Sequence, residues 1–246
     1  MSSAIKANGY PQPIQAQQLL QFSVPDYAIQ SLHVYENSAL SKAYLGYRDA
    51  ASQQLACGVP VAEVFGPEDY TDVELFFRDR TPSDPYNTCS VACEIYKNIE
   101  GTDVFARLVA VKLLTHLMRW MLVPTPETYA KLPAMIRPLP AQRLIPHSPC
   151  IDTNPHPAFR EALMLRYRDF ITCGEVRYSY TSVDWPYTLA EAVETDPITG
   201  RRRLTRAFEE HGTNPSNWSW KPSIAGTFPE IPALLHTFGG RLRNLQ

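Results

Sequence analysis

Between Arg137 and Glu161 the chain reads Arg-Pro-Leu-Pro-Ala-Gln-Arg-Leu-Ile-Pro-His-Ser-Pro-Cys-Ile-Asp-Thr-Asn-Pro-His-Pro-Ala-Phe-Arg-Glu. His147, Cys150, Asp152, His156, Arg160 and Glu161 crowd into this stretch. Imidazoles exchange protons near neutral pH, a carboxylate can orient an imidazole, and a guanidinium can hold a carboxylate. Prolines at 138, 140, 146, 149, 155 and 157 fix their own φ, push the preceding residue toward extended geometry and remove backbone donors. The spacing predicts a stiff extended strap through which no regular helix or ladder runs, entering a helix at about Phe159. Such a strap either satisfies buried backbone with its polar groups or presents them as a site.

The neighbours of these residues narrow the chemistry. Ser148 and Cys150 lack the Gly-x-Ser-x-Gly setting of a nucleophile elbow, and no Gly-rich dinucleotide fingerprint occurs. His147, Asp152 and His156 are residue types that ligate metals, but prolines set their directions without regard to a common centre, so no metal and no cofactor is expected. What remains is a cofactor-free pocket. Its catalytic groups are expected to be His147, Asp152, His156 and Arg160. Its substrate-binding walls are expected from Cys150, Trp185, Tyr187, Trp218 and Trp220, whose rings offer apolar faces with a polar rim. Trp218, with Trp120, is the one more readily read as plain core packing. A lone His116 among apolar helix turns reads as a core residue.

The elements that must position these groups follow from periodicity. The chain has 246 residues, a formal charge of −2, 22 prolines and 13 tyrosines, so an ordered but irregular globular protein is expected, with no call for direct nucleic-acid binding. Five cysteines without a secretory leader imply reduced thiols and an intracellular, cytoplasmic setting. Cys89 and Cys93 read as small core residues. Residues 1–24 are expected as an N-terminal arm, with a short helix around Gln15–Phe22, and 25–246 as a single helical domain. Helical spacing predicts Val34–Leu55 stopped by Gly58-Val59-Pro60, a second helix from Pro67, and a third over Cys89–Ile99. Next comes a long apolar helix Val104–Val123, capped by Thr102, at the core. Its Arg107, Lys112, His116 and Arg119 exclude a membrane span. Asn154 or His156 is expected to cap a helix Ala158–Ile171 whose apolar face is Phe159, Leu163, Tyr167 and Phe170, with Arg160 pointing elsewhere. Glu175–Val183 alternates like a lone strand. Asp196–Gly200 is a turn, Arg201-Arg202-Arg203 a solvated loop edge, Leu204–His211 a helix, and Pro229–Phe238 a last short helix. The fold class is mainly α: an irregular Pro-rich helical fold with long ordered loops and little or no sheet.

Several ordered blocks carry a family likeness from about Leu113 onward. They are Arg137-Pro-Leu-Pro-Ala-Gln, Pro146-His147 with Ile151-Asp152, then Pro155, Pro157, Arg160 and Glu161. Asp184-Trp185-Pro186-Tyr187, Phe208-Glu209-Glu210-His211, Asn217-Trp218 and Phe228-Pro229-Glu230 follow. In these the chain resembles the fungal domain of unknown function found behind the basic leucine zipper in many fungal transcription regulators. Residues 1–100 hold no Lys/Arg-rich helix leading into leucine heptads, which a zipper needs to meet phosphates and pair two chains. Cys150 and His156 stand where the resemblance implies bulky aromatics, which would leave room in the strap. The companion domain without its DNA reader suggests a hydrophobic small-molecule partner. The expected activity is a cofactor-independent cyclase or isomerase of fungal secondary metabolism, such as a Diels–Alder-type cyclisation of a terpenoid or polyketide. The alternative is a non-DNA-binding regulator or co-regulator, nuclear in that case, with a zipper protein or a second copy of the chain as partner.

Overall fold

A computed structural model describes residues 25–34, 39–99, 102–166, 181–220 and 241–242. The predicted helices around Gln15–Phe22 and Pro229–Phe238 lie outside them, as do the predicted Ala158–Ile171 helix beyond 166, with Tyr167 and Phe170, and the predicted Glu175–Val183 strand before 181. Helix α1 (Ala39–Ala56) turns Tyr44, Leu45, Tyr47 and Ala51 inward, and Gly58, at φ 86°, takes the chain out of it as expected. Val34 is not helical: its N–H is bonded to the His147 carbonyl at 3.0 Å. A short helix α2 (Val61–Phe65) precedes Pro67, and the helix expected from Pro67 is confined to α3 (Glu74–Phe77). Between them Thr71 and Val73 pair with backbone groups of Leu204 and Arg202, and this non-local pairing keeps the segment extended.

Helix α4 (Thr88–Lys97) begins at a reciprocal cap. Asn87 Oδ1 accepts from the Ser90 N–H at 3.0 Å, and Ser90 Oγ accepts from the Asn87 N–H at 2.9 Å, a device worth about 1 kcal/mol. The predicted long helix is α5 (Val104–Leu122). Asp103 caps it rather than Thr102, its carboxylate accepting from the Ala106 N–H at 3.0 Å, where a negative charge also suits the helix dipole. Leu108, Val111, Leu113, Leu114, Leu117, Met118 and Trp120 are all buried, so α5 is the centre of the core. Each fully buried leucine contributes about 1.5–3 kcal/mol. The same helix buries Arg119, whose guanidinium donates to the carbonyls of Phe65 and Pro67 and to Thr88 Oγ1. Cys89 and Cys93 are buried beside it.

After α6 (Pro126–Ala130) comes the strap, and here the structure corrects the expectation of a purely extended segment. It holds a 3₁₀ turn Ala134–Ile136, helix α7 (Pro140–Leu144) and a second 3₁₀ turn Pro149–Ile151, and leads into α8 (Pro157–Arg166). Pro140, Pro149 and Pro157 occupy the first position of these elements, where a missing N–H costs nothing and a fixed φ helps initiation. The strap also forms a bridge: His147 pairs in parallel with His33, and its N–H donates to the Leu32 carbonyl at 3.0 Å.

The remainder is short. Strand β1 (Thr181–Val183) leads to α9 (Leu189–Ala192), then strands β2 (Val193–Thr195) and β3 (Arg202–Leu204) form an antiparallel hairpin. Its turn is the predicted Asp196–Gly200: Asp196 Oδ1 accepts from the Ile198 and Thr199 N–H groups, and Gly200 adopts φ 68°. Arg201, Arg202 and Arg203 are not a solvated edge. They pair with Asp72, Glu74 and Glu194 respectively, because the hairpin packs alongside the Thr71–Glu74 segment. Helix α10 (Arg206–Gly212) fulfils the predicted Leu204–His211 helix. Strand β4 (Trp218–Trp220) pairs antiparallel with β1, Thr181 opposite Trp220, and β5 (Arg241–Leu242) pairs parallel to β4. The strand expected to stand alone therefore has a partner. The fold is mainly α with little sheet. No helix among the described residues is long and apolar enough to cross a membrane.

Candidate functional site

Asp152 is the hub of the strap. It follows the second 3₁₀ turn and is 1% exposed. Its Oδ1 accepts from Gln142 Nε2 at 2.5 Å and from His147 Nε2 at 2.7 Å, while Oδ2 accepts from His33 Nε2 at 2.8 Å. The Gln142 amide is itself fixed, because its Oε1 accepts from the Leu139 N–H at the start of α7. His147 Nδ1 sits 2.6 Å from the Ile145 carbonyl. Both nitrogens of His147 thus face acceptors, and an imidazole satisfies two acceptors only as the doubly protonated cation. Burial works against that charge, but Asp152, its hydrogen bond and the Ile145 carbonyl outweigh it and raise the His147 pKa. Burial likewise opposes the Asp152 carboxylate, yet His147 and His33 hold its pKa well below the usual range. The His33 and His147 rings meet edge to face, centroids 5.5 Å apart, and Tyr44 closes the other side of His33 at 5.5 Å.

His156 and Arg160 belong to a neighbouring layer. His156 immediately precedes α8 and holds the cap position, its carbonyl accepting from the Arg160 N–H, while its own N–H donates to Asn154 Oδ1, so Asn154 bonds the cap residue and not the helix. Its ring packs against Trp220 at 4.5 Å and Trp218 at 6.2 Å. Burial, with the Arg160 charge, pulls its pKa down to about 3. Arg160 does not point away from the apolar face of α8. It is fully buried with Phe159 and Leu163, and its guanidinium donates to the carbonyls of Asp152 at 3.3 Å and Arg137 at 3.1 Å. It can lie there because those carbonyls, left over from the broken helices of the strap, need donors. Burial lowers its pKa to about 10, against the pull of Asp152. His156 Nε2, Arg160 Nε and Trp220 Nε1 have no hydrogen-bond partner among the described residues.

The expected walls separate. Trp218 and Trp220 are buried around His156, with Trp218 Nε1 donating to the Gly212 carbonyl at 2.8 Å. Trp185 packs instead on Phe208 and His211 of α10 at 5.1 Å, and Tyr187, 58% exposed, leans on Trp185. Cys150 lies buried with its sulfur 2.9 Å from Ser148 Oγ. Among the described residues, spaces of about 20 Å³ between Tyr96, Thr153, Pro155 and Trp218 and of about 10 Å³ between Tyr44, Pro149 and Cys150 border the strap. A metabolite pocket needs about 300–1,000 Å³. A cleft of about 430 Å³ lies elsewhere, lined by Lys112, Arg203, Glu209 and Glu210, and is charged and open. Its Lys112 is already paired with Glu209 at 2.8 Å.

Sequence reasoning missed His33 and Gln142. Gln142 lies inside the strap, and its fixed place three residues after Leu139 at the start of a Pro-initiated helix was a usable signal. Nothing local marks His33, which lies 119 residues from the carboxylate it meets.

These features define a mainly α-helical protein whose proline-rich strap is locked by a buried histidine–aspartate–histidine centre. Residues 115–236 match the model of a domain of unknown function (DUF3425). That part of the chain belongs to this family, in agreement with the likeness read from about Leu113. His33 lies outside the matched segment, so the centre joins the family domain to the residues before it. No curated protein and no solved structure matches the chain.

Proposed function

We propose that this protein is a non-DNA-binding regulator or co-regulator, in which the strap is scaffold and the surface does the work. The observation that carries this reading is the direction of the strap's polar groups. The Asp152 carboxylate, both His147 nitrogens and two arms of Arg160 are committed to partners inside the protein. Groups committed in this way fix a shape for a partner to recognise, and the resemblance to zipper-associated domains supplies the partner class. A tagged chain purified from a fungal nuclear extract should return a basic-zipper protein in near one-to-one amount, and the isolated chain should not retard duplex DNA at physiological salt. Recovery without any zipper protein, together with turnover of a polyene substrate by the purified chain, would overturn the proposal.

One observation favours the cyclase reading. His156 Nε2, Arg160 Nε and Trp220 Nε1 are buried polar atoms without partners among the described residues, and the first and last belong to rings 4.5 Å apart, groups that a bound carbonyl or carboxylate would satisfy. Under that reading His156 and Arg160 activate the substrate, while His147 and Asp152 position the strap. Loss of a transition-state hydrogen bond in His156→Ala would then slow cyclisation about 10²–10³-fold.

A further inference from the structure

We infer that His33, His147 and Asp152 form a binding site for one first-row divalent cation, zinc being the ion their chemistry suits best. Two imidazoles and a carboxylate from two separate stretches of chain, His33 before the core helices and His147 with Asp152 in the strap, converge so that their ligand atoms all lie within 4.8 Å of one another. Such a set of borderline nitrogen and hard oxygen donors takes zinc readily.

The surroundings carry the second part of the argument. His147 directs Nδ1 at the Ile145 carbonyl, 2.6 Å away, which is the outer contact that metal-ligating histidines make to fix the tautomer with the Nε2 lone pair facing the ion. Asp152 is steadied by Gln142, itself tied to the Leu139 N–H, so the carboxylate has the supporting contact that ligating carboxylates have. His33 Nδ1 has no hydrogen-bond partner among the described residues, so no hydrogen bond resists moving the His33 proton from Nε2 to Nδ1. The backbone bridge between His33 and His147 sets the two rings side by side.

The cation takes the place of the two Nε2 protons. The N···O separations of 2.7 and 2.8 Å are those of hydrogen bonds. Zinc bonds of about 2.0–2.2 Å in a tetrahedron separate the ligand atoms by about 3.3 Å. The imidazole on the ligating carboxylate oxygen therefore retreats by about 0.5 Å, and the other, now on the second oxygen, re-aims onto the ion by a χ adjustment. Three protein ligands leave a fourth position for a small molecule such as water. Since His33 lies outside the 115–236 family segment, the ion clamps the preceding chain onto the domain. This goes beyond the regulator reading and does not depend on it.

The test uses the full chain, stripped with chelator and titrated with cobalt(II) as a spectroscopic stand-in and then with zinc(II), followed by calorimetry and visible absorption. We expect one ion per chain, tetrahedral cobalt bands and their displacement by zinc. His33→Gln keeps a donor toward Asp152, and so the fold, but removes an imidazole. It should weaken binding by at least about 100-fold, above what loss of a supporting contact costs, whereas His211→Gln, remote from the centre against Trp185, should bind as the parent does. Far-ultraviolet circular dichroism of His33→Gln guards against misfolding, and Asp152→Asn gives a second ligand deletion. The inference is overturned if the parent takes up no stoichiometric ion at micromolar concentration. It is equally overturned if folded His33→Gln binds undiminished.

Discussion

Replacing Asp152 with alanine probes whether the strap is held by its central carboxylate. The side chain accepts hydrogen bonds from Gln142, His147 and His33 at 2.5, 2.7 and 2.8 Å, all at a site 1% exposed. Removing one partner of a buried charge pair costs about 3–5 kcal/mol, because the other charge is left uncompensated. The donors of Gln142 and His33 are then left buried and unpaired, at about 1–3 kcal/mol each. His147 can lose its second proton, and the strap can admit water, both of which relieve part of the cost. A net loss of about 4–6 kcal/mol is expected, a large share of the 5–15 kcal/mol by which domains are stable. At this size it lowers the melting temperature by about 10–20 °C. Asp152→Asn keeps the shape and one acceptor and should cost about half as much. The assay is urea unfolding at pH 7 with chelator present, followed by far-ultraviolet circular dichroism. A loss below about 1 kcal/mol for Asp152→Ala would refute the reasoning and show the centre to be open to solvent.

Two further outcomes follow from packing and from charge. In Gly212→Ala the new methyl would overlap Val109 Cγ2 and lie 3.1 Å from its Cγ1. A β-branched side chain on a buried helix has little freedom to turn away, so a cost of about 1–3 kcal/mol is expected in the same unfolding assay, and an unchanged midpoint would count against this packing. His156 has a folded pKa of about 3 against about 6.5 in the unfolded chain. The unfolded state therefore binds the extra proton first, and stability falls as pH drops from about 6.5 toward 3. The fall is about 2 kcal/mol between pH 6.5 and 5. His147 has the opposite sign: its pKa is raised, so its contribution is present below about 6.5 and is lost as pH rises through its folded value. Urea midpoints of His156→Gln against parent between pH 5 and 7 isolate the first effect, and parallel pH slopes would contradict the burial of that ring.

What could be read from residues in order was what local forces decide. The Val104–Leu122 helix declares itself because apolar residues cover more than half of its circumference, and the Asp196–Gly200 turn because an Asx acceptor and a left-handed glycine are short-range requirements. His147 and Asp152 were legible as chemistry because they lie five residues apart in one stiff segment. The role of the strap prolines was misread, since the same fixed φ that blocks a helix interior starts a helix at its first position. Everything that depends on which distant surface packs against which was invisible in the linear order. His33 meets Asp152 across 119 residues, β1 finds its partner in Trp218–Trp220, and the basic run 201–203 finds its acids at 72, 74 and 194. Arg160, polar by type, is drawn into the interior because unpaired strap carbonyls there need a donor. Periodicity reports burial along one element. The partners of a buried charge are set only when elements far apart in sequence close around it.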